Sequence, residues 1–240
     1  MSQAAANLQP SPAIAELPCP MAVGFGDGLD PVILFVMKDS HYKTLGLECY
    51  DEKADARTYL GNAPVVAHPP CQLWCKMAKI NHLRWGGEHN KPGNDGGCFR
   101  FALDTVNRCG GVLEHPAETY AWPAHGLQRP PRTGWARSGQ GWVCEVWQSA
   151  YGHQANKRTW LYCAGTDAPI EPRWEHITGT HQIGGHDQRG KARNKPTLGK
   201  REANGTPPEF AAYLIKLARG CATGSNALHE PPAAKKQDHE

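Results

Sequence analysis

Short apolar runs that alternate with polar or helical stretches constrain the fold of this chain more than any other feature. The runs at 31–36 and 65–67 are too apolar to alternate in polarity, which is typical of strands covered on both faces. The segments that predict strands are Pro31–Val36, Leu47–Tyr50, Val65–Ala67, Gly111–Leu113, Trp142–Trp147 and Thr159–Ala164. Strands that alternate with helices imply an α/β fold in which a mostly parallel sheet carries helices on both faces.

Helical signals fall between and after these strands. A polar helix is predicted over 51–59, and an amphipathic helix is predicted to end at Gly110. The last helix has the clearest signals, because Thr206 and Glu209 form the spacing of a capping box and Gly220 supplies a stop. We therefore predict a single Rossmann-like domain.

Composition fits one domain with flanking segments. Of 240 residues, 40% are apolar and 20% are charged, which is ordinary for a globular protein. Residues 1–30 are rich in Ala, Pro and Gly and predict a flexible N-terminal extension. The folded domain is predicted over 31–220, and residues 221–240 predict a disordered tail.

Some classes of protein are excluded by the same composition. No apolar run reaches about 18 residues, and the N-terminus lacks a basic and then apolar signal, so we expect no membrane span and no signal peptide. The nine cysteines are odd in number and lack the spacing of a disulfide framework, which predicts reduced thiols and a cytoplasmic protein. The net charge of +3 does not by itself indicate a nucleic-acid partner.

A proline-bound cysteine is the strongest chemical signal in the chain. The strand at 65–67 runs into Pro69 and Pro70, which cannot continue a strand and hold the chain in an extended turn before Cys71. This turn would present the thiol at the carboxyl end of a strand, where open α/β sheets bind ligands. Glu114 follows the strand at 111–113, so a thiol and a carboxyl group are expected at neighbouring strand ends.

Two alternatives stay open for these residues. A cysteine after a strand can be a small buried hydrophobe, and Glu114 can cap a loop or helix. A zinc site is the other alternative, since thiolates and imidazoles lie close in sequence, namely His68, Cys71, Cys75, His82 and Cys98. Because no second tightly spaced pair follows Cys71 and Cys75, we predict no metal site.

Four motifs in order resemble those of one enzyme family. Pro70-Cys71-Gln72 resembles the nucleophile loop of the cytosine-5 DNA methyltransferases, and Glu114-His115-Pro116 is similar to their Glu-Asn strand end. The segment 151–159 resembles their Tyr-Gly-x-Pro-Gln-x-Arg-x-Arg motif, and 200–203 their late Arg-Glu-Ala element. The resemblance covers roughly residues 31–220 and implies a compact catalytic domain of the kind that suits a virus or mobile element.

The resemblance implies a covalent mechanism on DNA. Cys71 would add to carbon 6 of a pyrimidine, which activates carbon 5 toward an electrophile, and Glu114 would stabilise the ring at N3. Lys157 or Arg158 would orient the base or a phosphate. A base in a duplex must be flipped out to react, so the partner is DNA with a flipped or single-stranded base. The residues predicted to contact DNA are Arg132, Arg137, Arg189, Lys191, Arg193 and Lys195.

The cofactor implied by the resemblance is S-adenosylmethionine. Its predicted contacts are Asp39, Ser40, Asp51 and Pro70, with Asp51 placed to meet a ribose hydroxyl. The chain departs from the family because no glycine-rich turn follows the first strand, Thr159 replaces the second Arg, and 165–199 leaves little room for target recognition. Two alternatives therefore stay open: modification of a free pyrimidine nucleotide or with another donor, and a non-catalytic nucleic-acid-binding or interaction module.

Overall fold

The computed structural model describes residues 29–184 and 195–221. Within them, one sheet has the strand order β2–β1–β3–β4–β7–β6–β5. The strands are β1 (Val32–Leu34), β2 (Cys49–Tyr50), β3 (Val65–Ala67), β4 (Gly111–Pro116), β5 (Ala136–Ser138), β6 (Gly141–Trp147) and β7 (Arg158–Ala164). The helices are α1 (Lys76–Trp85), α2 (Cys98–Cys109), α3 (Ala121–Ala124), α4 (Lys200–Asn204) and α5 (Pro208–Cys221).

The sheet is mixed, with a parallel half and an antiparallel half. β2, β1, β3 and β4 are parallel neighbours, whereas β7, β6 and β5 each pair antiparallel with the strand before them in the sheet. As a result, β6 runs in the same direction as the parallel half. The predicted α/β fold with a mostly parallel sheet is confirmed.

Helices cover both faces of the parallel half, as predicted. Alternation along the strands sends Leu34, Ala67 and Leu113 to the face that packs against Phe99 and Trp122. The neighbouring side chains of the same three strands face the other way and pack against α5, namely Ile33, Val66 and Val112. This two-sided burial explains why the strand sequences are continuously apolar.

The predicted helix at 51–59 is wrong. This segment forms only a 3-10 turn at Ala56–Thr58, because two aspartates bond to nearby backbone groups. Asp51 Oδ1 accepts from the N–H groups of Lys53 and Ala54, and Asp55 Oδ1 accepts from that of Arg57. Such local bonds compete with the helical pattern and favour turns.

The last helix was predicted well, whereas α1 and the short helices α3 and α4 were missed. α5 begins at Pro208, next to the predicted capping box, and continues past Gly220 to the buried Cys221. α1 has no counterpart in the sequence prediction. None of the described helices is long and apolar enough to cross a membrane. The predicted extension and tail lie outside the described residues, apart from residues 29–30 and 221.

Candidate functional site

The carboxyl ends of the parallel strands surround a large cavity. From β1 the chain continues to the neighbouring β2 on one side, while β3 and β4 lie on the other side. Ligands of open α/β sheets bind outside the carboxyl ends at such a reversal. A cavity of about 1100 Å³ lies there, lined by the segments that follow β1, β2 and β3, by the end of β4, and by Lys157 and α4.

Cys71 lines this cavity. The backbone of His68 stays in the β-ladder by donating to the carbonyl of Leu34 (3.0 Å), after which the two prolines carry the chain to Cys71 at the start of a 3-10 turn. Burial raises the pKa of the Cys71 thiol, and the negative charge of Glu114 adds to this effect. Lys157 acts in the opposite direction. The resting cysteine is therefore a half-buried, protonated thiol that opens on the ligand space.

Glu114 is a buried carboxylate with both oxygens occupied. His68 Nδ1 lies 3.0 Å from Oε2, and Gln148 Nε2 donates to Oε1 at 3.0 Å. Burial favours the neutral acid, but the hydrogen bond from His68 and the charges of His68 and Lys157 outweigh it and hold the pKa of Glu114 at about 2. The sequence predicted a carboxylic acid here, whereas the free protein holds a carboxylate within β4.

His68 is a functional candidate that the sequence analysis considered only as a metal ligand. Because an ionised carboxylate only accepts hydrogen bonds, Nδ1 of His68 carries the proton that faces Glu114. Its Nε2 lies 3.1 Å from the hydroxyl of Tyr42, which is buried and whose pKa burial raises well above its ordinary value. The signal available was its position between β3 and the prolines, but its partner lies on another strand.

Lys157 reaches the cavity and Arg158 does not line it. Lys157 Nζ donates to the carbonyls of Asn204 (3.3 Å) and Gly205 (3.0 Å) at the end of α4. Burial lowers the pKa of Lys157, while the charges of Glu114 and Cys71 oppose the shift. Thus a thiol, a carboxylate and an ammonium group interact across one cavity.

Arg158 belongs to a cluster of ion pairs beside the cavity. Its Nη2 lies 2.6 Å from Glu118 and 3.1 Å from Glu145. Glu118 also pairs with Arg129, and Glu145 accepts from the indole of Trp160 at 2.8 Å. These contacts hold the amino end of β7 against β6 and the loop after β4.

The residues predicted to contact S-adenosylmethionine all line the cavity. Asp39 pairs with Arg201 of α4, so the loop after β1 is tied to α4. Asp51 lies at the end of β2, where hydrogen bonds from Lys43 and from the backbone of Ala54 and Lys53 lower its pKa to about 2. Ser40 and Pro70 lie on the same wall.

The connection from β1 to β2 differs from a glycine-rich cofactor turn. Phe35 follows β1 with a φ of 62°, a left-handed conformation that is costly for a bulky side chain and marks strain at a ligand site. A 3-10 helix at His41–Leu45 then leads to Gly46 and β2. Asp51 ends β2 with both carboxylate oxygens accepting hydrogen bonds from its own loop and Lys43, and the backbone after β1 carries a phenyl group where a cofactor turn has glycine.

The predicted DNA contacts are scattered. Arg132 is exposed, and Arg137 on β5 stacks over the Trp142 ring at 4.1 Å. Lys195 donates to the carbonyl of Gly179, while Arg189, Lys191 and Arg193 lie outside the described residues. Trp122 in the nearby helix α3 is fully buried in the core and offers no stacking surface.

A smaller cavity adjoins the first on the other side of Cys71. It has a volume of about 230 Å³ and is lined by Cys71, Cys75, Lys76 and the segment 115–119. Residues 29–184 and 195–221 contain no group of three His, Cys, Asp or Glu side chains placed to hold a metal ion. Every cysteine in those ranges is free.

Comparison of the chain with protein-family models, with curated proteins and with solved structures finds no match. Function must therefore be inferred from the geometry of the cavity itself.

Proposed function

We propose that this protein modifies carbon 5 of a pyrimidine, namely cytosine in DNA, through a covalent adduct between Cys71 and carbon 6. The observation that supports the proposal is the convergence of Cys71, Glu114 and Lys157 on one cavity at the carboxyl edge of a parallel sheet. Each residue comes from a different strand end or loop, as is usual for a site built on this type of sheet.

The proposed first step is the addition of a thiol across the ring. The sulfur forms a bond to carbon 6, the pair of the C5–C6 double bond shifts between carbons 4 and 5, the pair of the C4–N3 double bond moves onto N3, and the thiol proton ends there. Glu114 is ionised in the free protein, and it can carry that proton to the ring only when the bound base raises its pKa from about 2. His68 stabilises the Glu114 carboxylate once the proton has been passed on, through its hydrogen bond to that group.

Lys157 supports the same step electrostatically. Its ammonium group is the one charge that opposes the raised pKa of Cys71, so it stabilises the thiolate as the proton leaves. It is held by two backbone carbonyls, which leaves its position fixed without neutralising its charge. Even a thiol with an ordinary pKa is mostly protonated at pH 7, so a buried thiol such as Cys71 depends more strongly on the positive charge of Lys157.

The second step needs an electrophilic one-carbon donor. The activated carbon 5 would attack that carbon, and the donor's leaving group would depart with the bonding pair. The carbon 5 proton would then leave to solvent, the sulfur would be eliminated from carbon 6, and the N3 proton would return to the sulfur by way of Glu114. S-adenosylmethionine is the donor that the resemblance implies, and Asp51 supports it. The phenyl group of Phe35 favours a donor that does not need a glycine-lined turn, so the donor is tested separately.

The test of the adduct uses a single-stranded oligonucleotide with 5-fluorocytosine at one position. Fluorine cannot leave carbon 5 as a proton does, so a completed transfer would leave protein and DNA joined. We expect a mass-shifted covalent complex from the wild type and from Cys75→Ser, which removes a neighbouring thiol outside the large cavity, and none from Cys71→Ser. The reaction is run with S-adenosylmethionine present, and saturable binding of the labelled cofactor is measured in parallel.

Mass spectrometry of nucleosides from cells that make the wild type or Cys71→Ser reports the product without an assumption about the donor. A new cytosine mass that depends on Cys71, without cofactor binding, would retain the reaction and replace the donor. No adduct together with unchanged nucleosides would reject the enzymatic proposal and leave the non-catalytic binding module.

A further inference from the structure

α1 presents its apolar side chains to solvent instead of to the core. Met77, Ile80 and Leu83 are all exposed, and Leu83 is 86% exposed. Successive residues at this spacing share one face of a helix. Ala78 is the only buried residue of the helix, and it lies on the opposite face. A surface helix of a globular protein normally has the reverse arrangement.

The same face is positively charged. Lys76 and Arg84 flank the three apolar side chains on the helix, and the segment from Cys71 to Gly87 contains no acidic residue. The exposed Trp85 ends the helix with the Arg84 guanidinium 5.1 Å from its ring. An apolar stripe between cations, followed by an open aromatic ring, fits a polyanion that also has flat apolar faces.

The position of α1 places this face at the rim of the proposed active site. Cys71 and the first helical residue, Lys76, line the smaller cavity together. Lys79 fixes the helix by lying over the Tyr120 ring at 4.5 Å. A nucleic-acid strand that presents a base to Cys71 would therefore pass close to the start of α1.

We propose that the exposed face of α1, made of Met77, Ile80 and Leu83 with Lys76 and Arg84, binds the nucleic-acid strand that carries the target base, with the exposed Trp85 contacting it from the end of the helix. The apolar side chains and the indole contact unstacked bases beside the reacting one, and the two cations contact phosphates. The inference rests on the proposed function for its location, and it assigns the DNA contact to a helix that contains none of the residues predicted from the sequence to contact DNA. Nucleic acid is favoured over a protein partner because α1 itself carries cations and no carboxylate.

The binding test uses fluorescence anisotropy with a labelled single-stranded oligonucleotide of roughly 16 nucleotides, which spans a typical single-strand site. We expect the triple variant Met77→Ser, Ile80→Ser, Leu83→Ser to bind roughly tenfold more weakly, since its apolar contacts to bases are lost. Leu60→Ser is the matched control, because Leu60 is 87% exposed and lies outside α1. It should bind as the wild type does.

The cations have a separate signature in the same assay. Lys76→Gln with Arg84→Gln should reduce the slope of log affinity against log salt by about 1 to 2, one phosphate contact for each cation removed. Because all of these side chains are exposed, the variants should keep the circular dichroism and unfolding midpoint of the wild type.

Unchanged affinity and salt dependence in both α1 variants would overturn the proposal. So would a wild type that self-associates in sedimentation and an α1 variant that becomes monomeric with unchanged DNA affinity, since the face would then bind a second copy. Failure of the enzymatic proposal is distinguishable, because it is the absence of a Cys71 adduct in the wild type. Anisotropy reports on α1 whether or not an adduct forms.

Discussion

Replacing Glu114 by Gln tests the electrostatics on which the proposed chemistry depends. The carboxylate accepts from His68 and from Gln148, and its pKa falls from 4.5 to about 2. An amide has one acceptor oxygen and one donor nitrogen, so it cannot accept on both sides at once. The variant therefore loses a charged hydrogen bond in a buried location and turns a donor toward another donor.

The size of the effect follows from linkage. A depression from 4.5 to about 2 corresponds to about 3 kcal/mol of stability for the ionised form at pH 7. Since the folded pKa is the lower one, this stability is fully present above pH 4.5 and is lost as the pH falls toward 2. At pH 3.5 the contribution should have dropped to about 2 kcal/mol.

Urea unfolding followed by tryptophan fluorescence measures this difference at pH 7 and pH 3.5. We expect the gap in free energy of unfolding between wild type and Glu114→Gln to narrow by about 1 kcal/mol between the two pH values. Glu52→Gln changes an exposed carboxyl on the same cavity wall and should show no such gap at pH 7. A gap that widens as the pH falls would refute the reasoning, because it would mean that burial keeps Glu114 protonated.

The remaining two predictions concern the frame around the site. His115 is fully buried between Phe99 and Trp122, and burial lowers its pKa to about 4. As the pH falls, His115 is protonated in the unfolded chain before it is protonated in the folded one. The free energy of unfolding should therefore decrease by about 3 kcal/mol between pH 6.5 and pH 4. His115→Leu should flatten that part of the curve of unfolding free energy against pH, measured by urea titration. Gly111 has a φ of 126°, and a Cβ there would lie 2.0 Å from the carbonyl oxygen of Val65. Gly111→Ala should therefore lower the thermal midpoint strongly or prevent folding, and a wild-type midpoint would contradict the β3–β4 register.

Much of the fold could be predicted from local sequence. The apolar runs became β1 to β4, β6 and β7, because strands buried on both faces need continuous apolar sequence. α1 could not be predicted in the same way. Its apolar residues follow helical spacing but face solvent, and only Ala78 is buried, so the pattern that normally indicates a core is absent.

Individual residues of the candidate site could be predicted from the sequence, but the contacts between them could not. Cys71 and Glu114 follow from motifs, but the pairing of His68 with Glu114 depends on β3 and β4 being neighbours. The sequence analysis named Lys157 and Arg158 as alternatives, and strand geometry alone could have chosen between them. Consecutive residues at a strand end point to opposite sides, so only one of them was free to line the cavity. Lys157 lines it, and Arg158 joins the ion-pair cluster.

The cost of the buried charges favours an enzyme over a binding module. Glu114 and Lys157 are both withdrawn from water, and burial works against ionisation of each. Packed apolar residues of similar size would stabilise the fold at least as well, so the retention of both charges beside a thiol is consistent with the proposed reaction. The cavity of about 1100 Å³ is also larger than one base requires. A space that holds a base next to Cys71 and leaves room toward Asp51 and Asp39 fits a reaction between two ligands, and this is the arrangement that group transfer needs.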